Sequence, residues 1–354
     1  ELPVASYRTR QSGNWNQVAT WETFSGTEWV NATSTPTYSA GYIIIRSSHF
    51  VTVTETVSAD QIIIDTGGRL LLNSDINVND GSAYDLTVNG TLECSPGNVT
   101  GAGSFIINGL AELIITSPDG ITHSDASGNI QAATRLFNNW ANYIYSGTLS
   151  QSTGNGLPES VNNLVINNSS GVNLTRPVKI NGSLILSLGE FNIGTNILTF
   201  NTSDAPILRT AGTISTTPET DIVFGSPADT TGASFTIPQG TFTSSPEINN
   251  LTTYRANGIT LNEQLLSVNG KVLCNGPLNT SDNLILLSTP SGTALIDGSG
   301  TAEITGNMTM QRYLPSGFGY KYFSSPFQAA TVNEFSDNMD LKTLCPAFDK
   351  FYEN

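Results

Sequence analysis

Apolar residues fall along this chain in bursts of two or three alternate positions, separated by Gly, Asn, Ser and Thr. Leu164 and Ile166, Val172 and Leu174, Val178 and Ile180, then Leu184 and Leu186 form four successive bursts. Alternation over so few residues reads as short, half-buried strands. The Asn-Gly, Asn-Asn and Ser-Ser-Gly pieces between them tolerate positive φ and read as turns. Bursts recur about every six to eight residues, so three of them close a coil of roughly 20 residues. The stretch "GYIIIRSSHFVTVTETVSADQIIIDTGGRLLLNSDINVND" gives further strands at Ile43 to Ile45, Val51 to Val53, Ile62 to Ile64 and Leu70 to Leu72.

One passage is written twice. "VNNLVINNSSGVNLTRPVKINGSLILSLGE", from Val161, returns as "INNLTTYRANGITLNEQLLSVNGKVLCNG", from Ile248. Asn163-Leu164 matches Asn250-Leu251, Gly171 matches Gly258, and Leu174 matches Leu261. Asn181-Gly182 matches Asn269-Gly270, one residue further out of step, and Asn89-Gly90 begins a partial third copy. A period of roughly 88 residues corresponds to about four coils, so solenoid is duplicated rather than a globular domain. A hairpin meander would also use Asn-Gly turns, but its strands usually run to about five or six residues. The expectation is an all-β, right-handed parallel β-helix over residues 41–310. Equivalent residues such as Leu174 and Leu261 should then face the same interior wall.

The ends differ from this rhythm. Residues 1–40 carry Trp15, Trp21 and Trp29, three of the four tryptophans. Bulky aromatics there would cover the open edge of the first coil; the competing reading is a sugar-stacking patch. Between Ile115 and Leu157 the pattern loosens. Ala132, Leu136 and Trp140 have weak helical spacing, which predicts an inserted loop or one turn of helix, while Tyr143 and Tyr145 alternate like a strand. After Met310 the rhythm stops, and residues 311–354 read as the start of a following β-rich module in a longer polypeptide.

Composition narrows the function classes. Only 12 % of residues are charged, and the net charge is −15. Nucleic acid is an unsuitable partner for so acidic a chain, and no apolar run is long enough for a membrane span. Cys94 and Cys274 each lie five residues after the Asn of an Asn-Gly pair, and the same offset in the middle copy gives Leu186. A position that accepts Cys, Leu and Cys wants a small buried apolar group, so both thiols should be free and far apart. Cys345 carries no such argument.

The combination resembles a known group. "SGNWNQVATWE" at Ser12 to Glu22 is similar to the opening of mature surface proteins of Bacteroidota exported by the type IX secretion system. "YIYSGTLSQSTGNGLPESVNNLVINNSSGVNLT" and "ASFTIPQGTFTSSPEINNLTTYRANGITL" resemble the β-helical stalk repeats of those proteins, some of them gliding-motility adhesins. "GNMTMQRYLPSGFGYKYFSSPF" is similar to the segment that follows such repeats. The resemblance implies a secreted or cell-surface location, passage through the type IX machinery, and contact with surface polysaccharide or other surface proteins. It brings no catalytic residue with it. Asp229-Thr230-Thr231 resembles an O-glycosylation acceptor of these bacteria, which would place the sugar on Thr230.

The rival class is a carbohydrate-active or glycan-binding β-helix. Its hydrolases need clustered carboxylates, and its lyases need an acidic calcium cluster with a basic residue. Asn-Thr-Asp, Asp-Asp and Gly-His-Gly signatures are absent, and so is the Gly-Gly-x-Gly-x-Asp calcium repeat. "NTSD" at Asn201 and Asn279 recurs as a turn. Asp80, Asp204, Asp282 and Asp297 stand alone beside turn residues, and His49 and His123 share no ligand spacing. The expectation is therefore a non-enzymatic stalk or adhesin region that needs no cofactor; Ca²⁺ has no support in the residues. Trp15, Trp21 and Trp29 are the candidate glycan contacts.

Overall fold

The computed structural model describes residues 2–314, apart from 82–83, 125, 202–203, 229–232 and 263. Thr230, Cys345 and nearly all of the expected module at 311–354 therefore lie outside the described residues. The chain divides into two units, Glu1–Tyr313 and Leu314–Asn354. The first is a parallel β-solenoid of about 12 turns. Among the described residues there is no α-helix, only one turn of 3-10 helix at Val18–Thr20.

Each turn contributes three short strands to three walls. Ile43–Ile45, Phe50–Val53 and Val57–Ala59 make one turn, and Ile62–Ile64, Arg69–Leu72 and Ile76–Val78 stack on them in parallel. The burst pattern explains the geometry, since alternate residues of a strand point to opposite faces. Ile43, Ile45, Val51, Val53, Ile62, Ile64, Leu70 and Leu72 are all fully buried. Inward residues of successive turns form ladders such as Leu70, Leu92, Leu113, Tyr143, Leu164, Leu184 and Ile207. The Asn-Gly pairs are corners between walls: Val178–Ile180 belongs to a seven-stranded sheet and Leu184–Leu188, after Asn181-Gly182, to a nine-stranded one.

The duplication differs from the expectation in one respect. Leu164–Asn167 lies in the nine-stranded sheet, whereas its repeat, Asn250–Thr253, lies in the seven-stranded sheet. Leu174 continues a strand of one four-stranded sheet and Leu261 a strand of another, so they do not share a wall. From Leu164–Asn167 to Asn250–Thr253 the chain advances eleven strands. At three strands per turn, eleven is one short of four whole turns. The second copy is therefore written one wall early.

Corner chemistry allows this because a corner senses only the turn beneath it. In the first copy Asn142 Oδ1 accepts from Asn162 Nδ2 and Asn163 Nδ2, at 2.8 and 2.9 Å. In the second, Asp221 Oδ1 accepts from Asn249 Nδ2 and Asn250 Nδ2, at 3.0 and 2.9 Å. Asn163 Oδ1 then receives the Ser183 N–H at 2.7 Å, as Asn250 Oδ1 receives the Lys271 N–H at 2.8 Å. A Cβ on Gly182 would strike the Asn163 carboxamide oxygen, and one on Gly270 the Asn250 oxygen. This is why Asn-Asn and Asn-Gly recur together: each glycine leaves room for the carboxamide of the previous turn.

The first turn is capped. Tyr7–Thr9, Trp21–Phe24 and Trp29–Asn31 form an antiparallel meander that extends the eight-stranded sheet through Ile43–Ile45. Trp15 and Trp21 meet edge to face at 5.1 Å, both about 1 % exposed. Their ring N–H groups donate to the carbonyls of Pro36 and Trp15, at 3.1 and 2.8 Å.

The loosened region contains an excursion, not a helical turn. Ala132 is buried while Leu136 and Trp140 are exposed, so their spacing marks no single face. Arg135 holds the loop by donating to the Thr122 carbonyl and hydroxyl and the Ser124 carbonyl. Tyr143 and Tyr145 are inward residues of the strand Asn142–Tyr145, as their alternation predicts.

Candidate interaction surface

The residues singled out from sequence are scattered. Trp15 and Trp21 are inside the cap and offer no face to a sugar. Trp29 is half-buried, with the Arg8 guanidinium 4.3 Å from its ring centroid and Phe24 at 5.4 Å. His49 Nδ1 is bonded to Thr9 Oγ1 at 2.8 Å, and exposed His123 donates its backbone N–H to Asn155. Cys94 and Cys274 are buried free thiols. Burial pushes both thiols up, Cys274 to about 11 and Cys94 further. In a Cys345→Ser background, native protein at pH 8 is expected to give no rapid reaction with Ellman's reagent, and two thiols per chain after denaturation. Prompt native labelling would contradict the buried placement.

The carboxylates at turns are taken up by donors of their own corner or of the next turn. Asp204 accepts the Ala233 N–H, Asp282 the Asn307 N–H, and Asp297 the Ser299 N–H and hydroxyl. Among the described residues no group of three or more His, Cys, Asp or Glu is placed to hold a metal. The exception to isolation is Asp60 with Asp85, a pair that sequence reasoning missed because the two meet only through stacking of adjacent turns. Asp85, 1 % exposed, accepts from Gly81 N–H, Gln61 Nε2, Ser104 N–H and the Ser104 hydroxyl. Asp60 lies in hydrogen-bond contact with Asp85, and burial together with that contact raises its pKa. Two carboxyls this close do not straddle a glycosidic bond, which needs about 5–9.5 Å between them.

A carboxyl with a raised folded pKa takes up a proton on folding in the window just above the ordinary carboxylate value. Its stabilisation is present at low pH and is lost as pH rises through the folded value. Asp60→Asn, which keeps an acceptor for the Gln61 N–H and adds a donor toward Asp85, should remove that loss. The variant is expected to melt above the parent at pH 7 and to converge with it near pH 3. A parent that melts higher at both pH values would contradict the raised pKa of Asp60.

The outer walls carry different chemistry, read directly from the register. One runs Ser152, Asn173, Asn192, Ser215 and another Thr236, Thr260, Asn279, Thr305, all polar. The nine-stranded sheet presents instead Leu71, Glu93, Ile114, Ile144, Val165, Ile185 and Leu208 in one outward row. From Ile114 to Leu208 the row is wholly aliphatic. Asn142, Asn163 and Ser183 flank it on one side and Asn167 on the other, and the strands from Asn142–Tyr145 to Leu184–Leu188 carry no Asp, Glu, Lys or Arg. Leu208 itself is 45 % exposed, and Leu149 and Leu188 at the adjoining corner are 64 % and 44 % exposed. At about 4.8 Å per strand the aliphatic row is roughly 19 Å long. The alternation rule reads these outward positions as polar, so sequence reasoning missed them; the signal was the unbroken run in "YIY", "LVI", "LIL" and "ILR".

No family model, curated protein or solved structure matches the chain.

Proposed function

We propose that this chain is a non-enzymatic stalk or adhesin region of a large secreted cell-surface protein, acting in adhesion, surface display or gliding. The observation that carries the reading is the set of overlapping parallel ladders with chemically distinct outer walls. A solenoid of about 12 turns at about 4.8 Å per turn makes a rod of roughly 55 Å. Such a rod can project other domains from a surface while offering one wall to a contact. Its resistance to bending comes from main-chain hydrogen bonds along the rod and a continuous aliphatic interior.

The resemblance of the Ser12 to Glu22 opening and of the repeats to Bacteroidota surface proteins supports export through the type IX machinery and a location outside the outer membrane. Surface polysaccharide and neighbouring surface proteins are the partners this reading names. The second reading is a glycan-binding β-helix, favoured by the uncharged rows of amide and hydroxyl groups beside the aliphatic row. Beads coated with the full chain should attach to polysaccharide-coated or cell-coated glass above albumin-coated beads, and release no reducing ends or unsaturated products. Attachment no better than albumin would count against adhesion, and product release would replace the stalk with an enzyme.

A further inference from the structure

We infer that Asn108 is a site of spontaneous modification, cyclising onto Gly109 and converting to aspartate and isoaspartate while the other Asn-Gly pairs are protected. The inference stands on the corners themselves and does not need the adhesin reading. The chain contains seven Asn-Gly pairs. Such pairs are chemically weak, because a glycine nitrogen, unhindered by a Cβ, can approach the preceding side-chain carbonyl. The glycine amide first loses its proton to water or hydroxide. Its nitrogen then bonds to the asparagine Cγ, and the side-chain nitrogen takes a proton from water and leaves as ammonia. Water opens the resulting five-membered imide at either carbonyl. One product is aspartate; the other is isoaspartate, with an extra methylene in the main chain.

Hydrogen bonding separates one pair from the rest. Gly90, Gly156, Gly182, Gly270 and Gly276 donate their N–H to the carbonyls of Ile64, Ile121, Asn162, Asn249 and Thr253, at 2.7–3.1 Å, each in an earlier turn of the solenoid. Gly258 donates to Arg255 within its own bend, at 2.9 Å. All six glycines are buried or half-buried. Gly109 is exposed, and its N–H meets no acceptor among the described residues. A bound amide N–H is harder to deprotonate, and stacking holds its peptide plane away from the side chain. Attack there waits for local opening of the turns. At Gly109 water reaches the amide directly, and the bend is closed by the Ala111 N–H on the Asn108 carbonyl, at 3.3 Å.

Conversion changes the neighbouring corner. Asn108 Nδ2 donates to Asn89 Oδ1 at 2.7 Å, so a carboxylate at 108 sets oxygen against oxygen until Asn89 turns its amide. Isoaspartate also lengthens the main chain ahead of Leu110, whose N–H ties this turn to the Trp140 carbonyl at 2.7 Å. Each converted chain gains one negative charge here. The modification marks the age of the chain and loosens one contact between turns, while the six bonded pairs stay intact.

The full chain kept native at pH 8 and 37 °C should accumulate the acid form at Asn108, read by peptide mass mapping. Isoaspartate in the same peptide should be detected by labelling with an isoaspartyl methyltransferase. In guanidinium chloride all seven pairs should convert, whereas in the native chain the six bonded pairs should be slowed at least about tenfold, since their attack waits on local opening. Gly109→Ala places its Cβ 3.5 Å from Trp140 Cβ and 3.7 Å from Asn138 Oδ1, ordinary contacts that should leave the fold unchanged. The added Cβ should slow conversion at Asn108 at least about tenfold. The comparison among pairs within the parent chain needs no variant. Native Asn108 converting no faster than Asn181 or Asn269 would overturn the inference. So would aspartate without isoaspartate, which marks direct hydrolysis in place of cyclisation.

Discussion

Gly189→Ala should lower the stability of the solenoid by about 2–5 kcal/mol, while Gly292→Ala changes it little. Gly189 sits at φ +82°, between Leu184–Leu188 and Glu190–Asn192. A Cβ there would stand inside the van der Waals envelope of the Asn168 carbonyl oxygen in the turn beneath. The left-handed conformation costs a non-glycine residue ~1–2 kcal/mol, and overpacking adds ~1–3 kcal/mol. Gly292 has nothing within 4 Å of the same position. Urea midpoints for the two variants and the parent check the contrast. Equal midpoints would mean that turns are not stacked at this corner.

Legibility followed the range of the interaction. Strands such as Ile43–Ile45 and Leu184–Leu188 were readable because inward alternation is a local pattern that burial enforces. The Asn-Gly corners were readable for a related reason, since Gly182 and Gly270 must each leave room for a carboxamide. The wall on which the second copy lands was not readable. It depends on counting strands through the irregular passage between Asp221–Phe224 and Asn250–Thr253, where strand spacing departs from the rhythm. The Asp60–Asp85 pair was hidden for the same reason: its members are 25 residues apart and adjacent only through stacking. Trp15 and Trp21 illustrate a different ambiguity. An aromatic cluster at a solenoid end has the same composition whether it covers the core or faces a ligand, and only burial separates the two.

Trp21→Ala is expected to be the most damaging change in the cap. Trp21 is about 1 % exposed, packs edge to face on Trp15, and donates to the Trp15 carbonyl. Truncating a buried aromatic of this size costs about 3–5 kcal/mol. The loss also loosens Tyr7–Thr9 and Trp21–Phe24, the strands that cover Ile43–Ile45. An uncovered sheet edge pairs with other chains, so light scattering on warming should rise earlier than in the parent. Trp140→Ala, at a residue 56 % exposed, is the matched control and should melt within a degree or two of the parent. A Trp21→Ala protein with parental melting and no added scattering would show that the aromatic pair is not the cap.

The central claim is one continuous parallel solenoid whose second repeat copy begins a wall early. Disulfide trapping in a Cys345→Ser background tests it most directly. Val223 and Thr252 are register partners on adjacent strands of the seven-stranded sheet, within the Cα separation a disulfide needs, below about 7 Å. Val223→Cys with Thr252→Cys should close an intramolecular bond rapidly on mild oxidation, and Leu208→Cys with Thr252→Cys should not. If the copies lay wall on wall, four whole turns apart, Asn250–Thr253 would continue the wall of Ile207–Arg209 and leave Val223 without Thr252 beside it. Failure of the 223–252 disulfide to close would contradict the account.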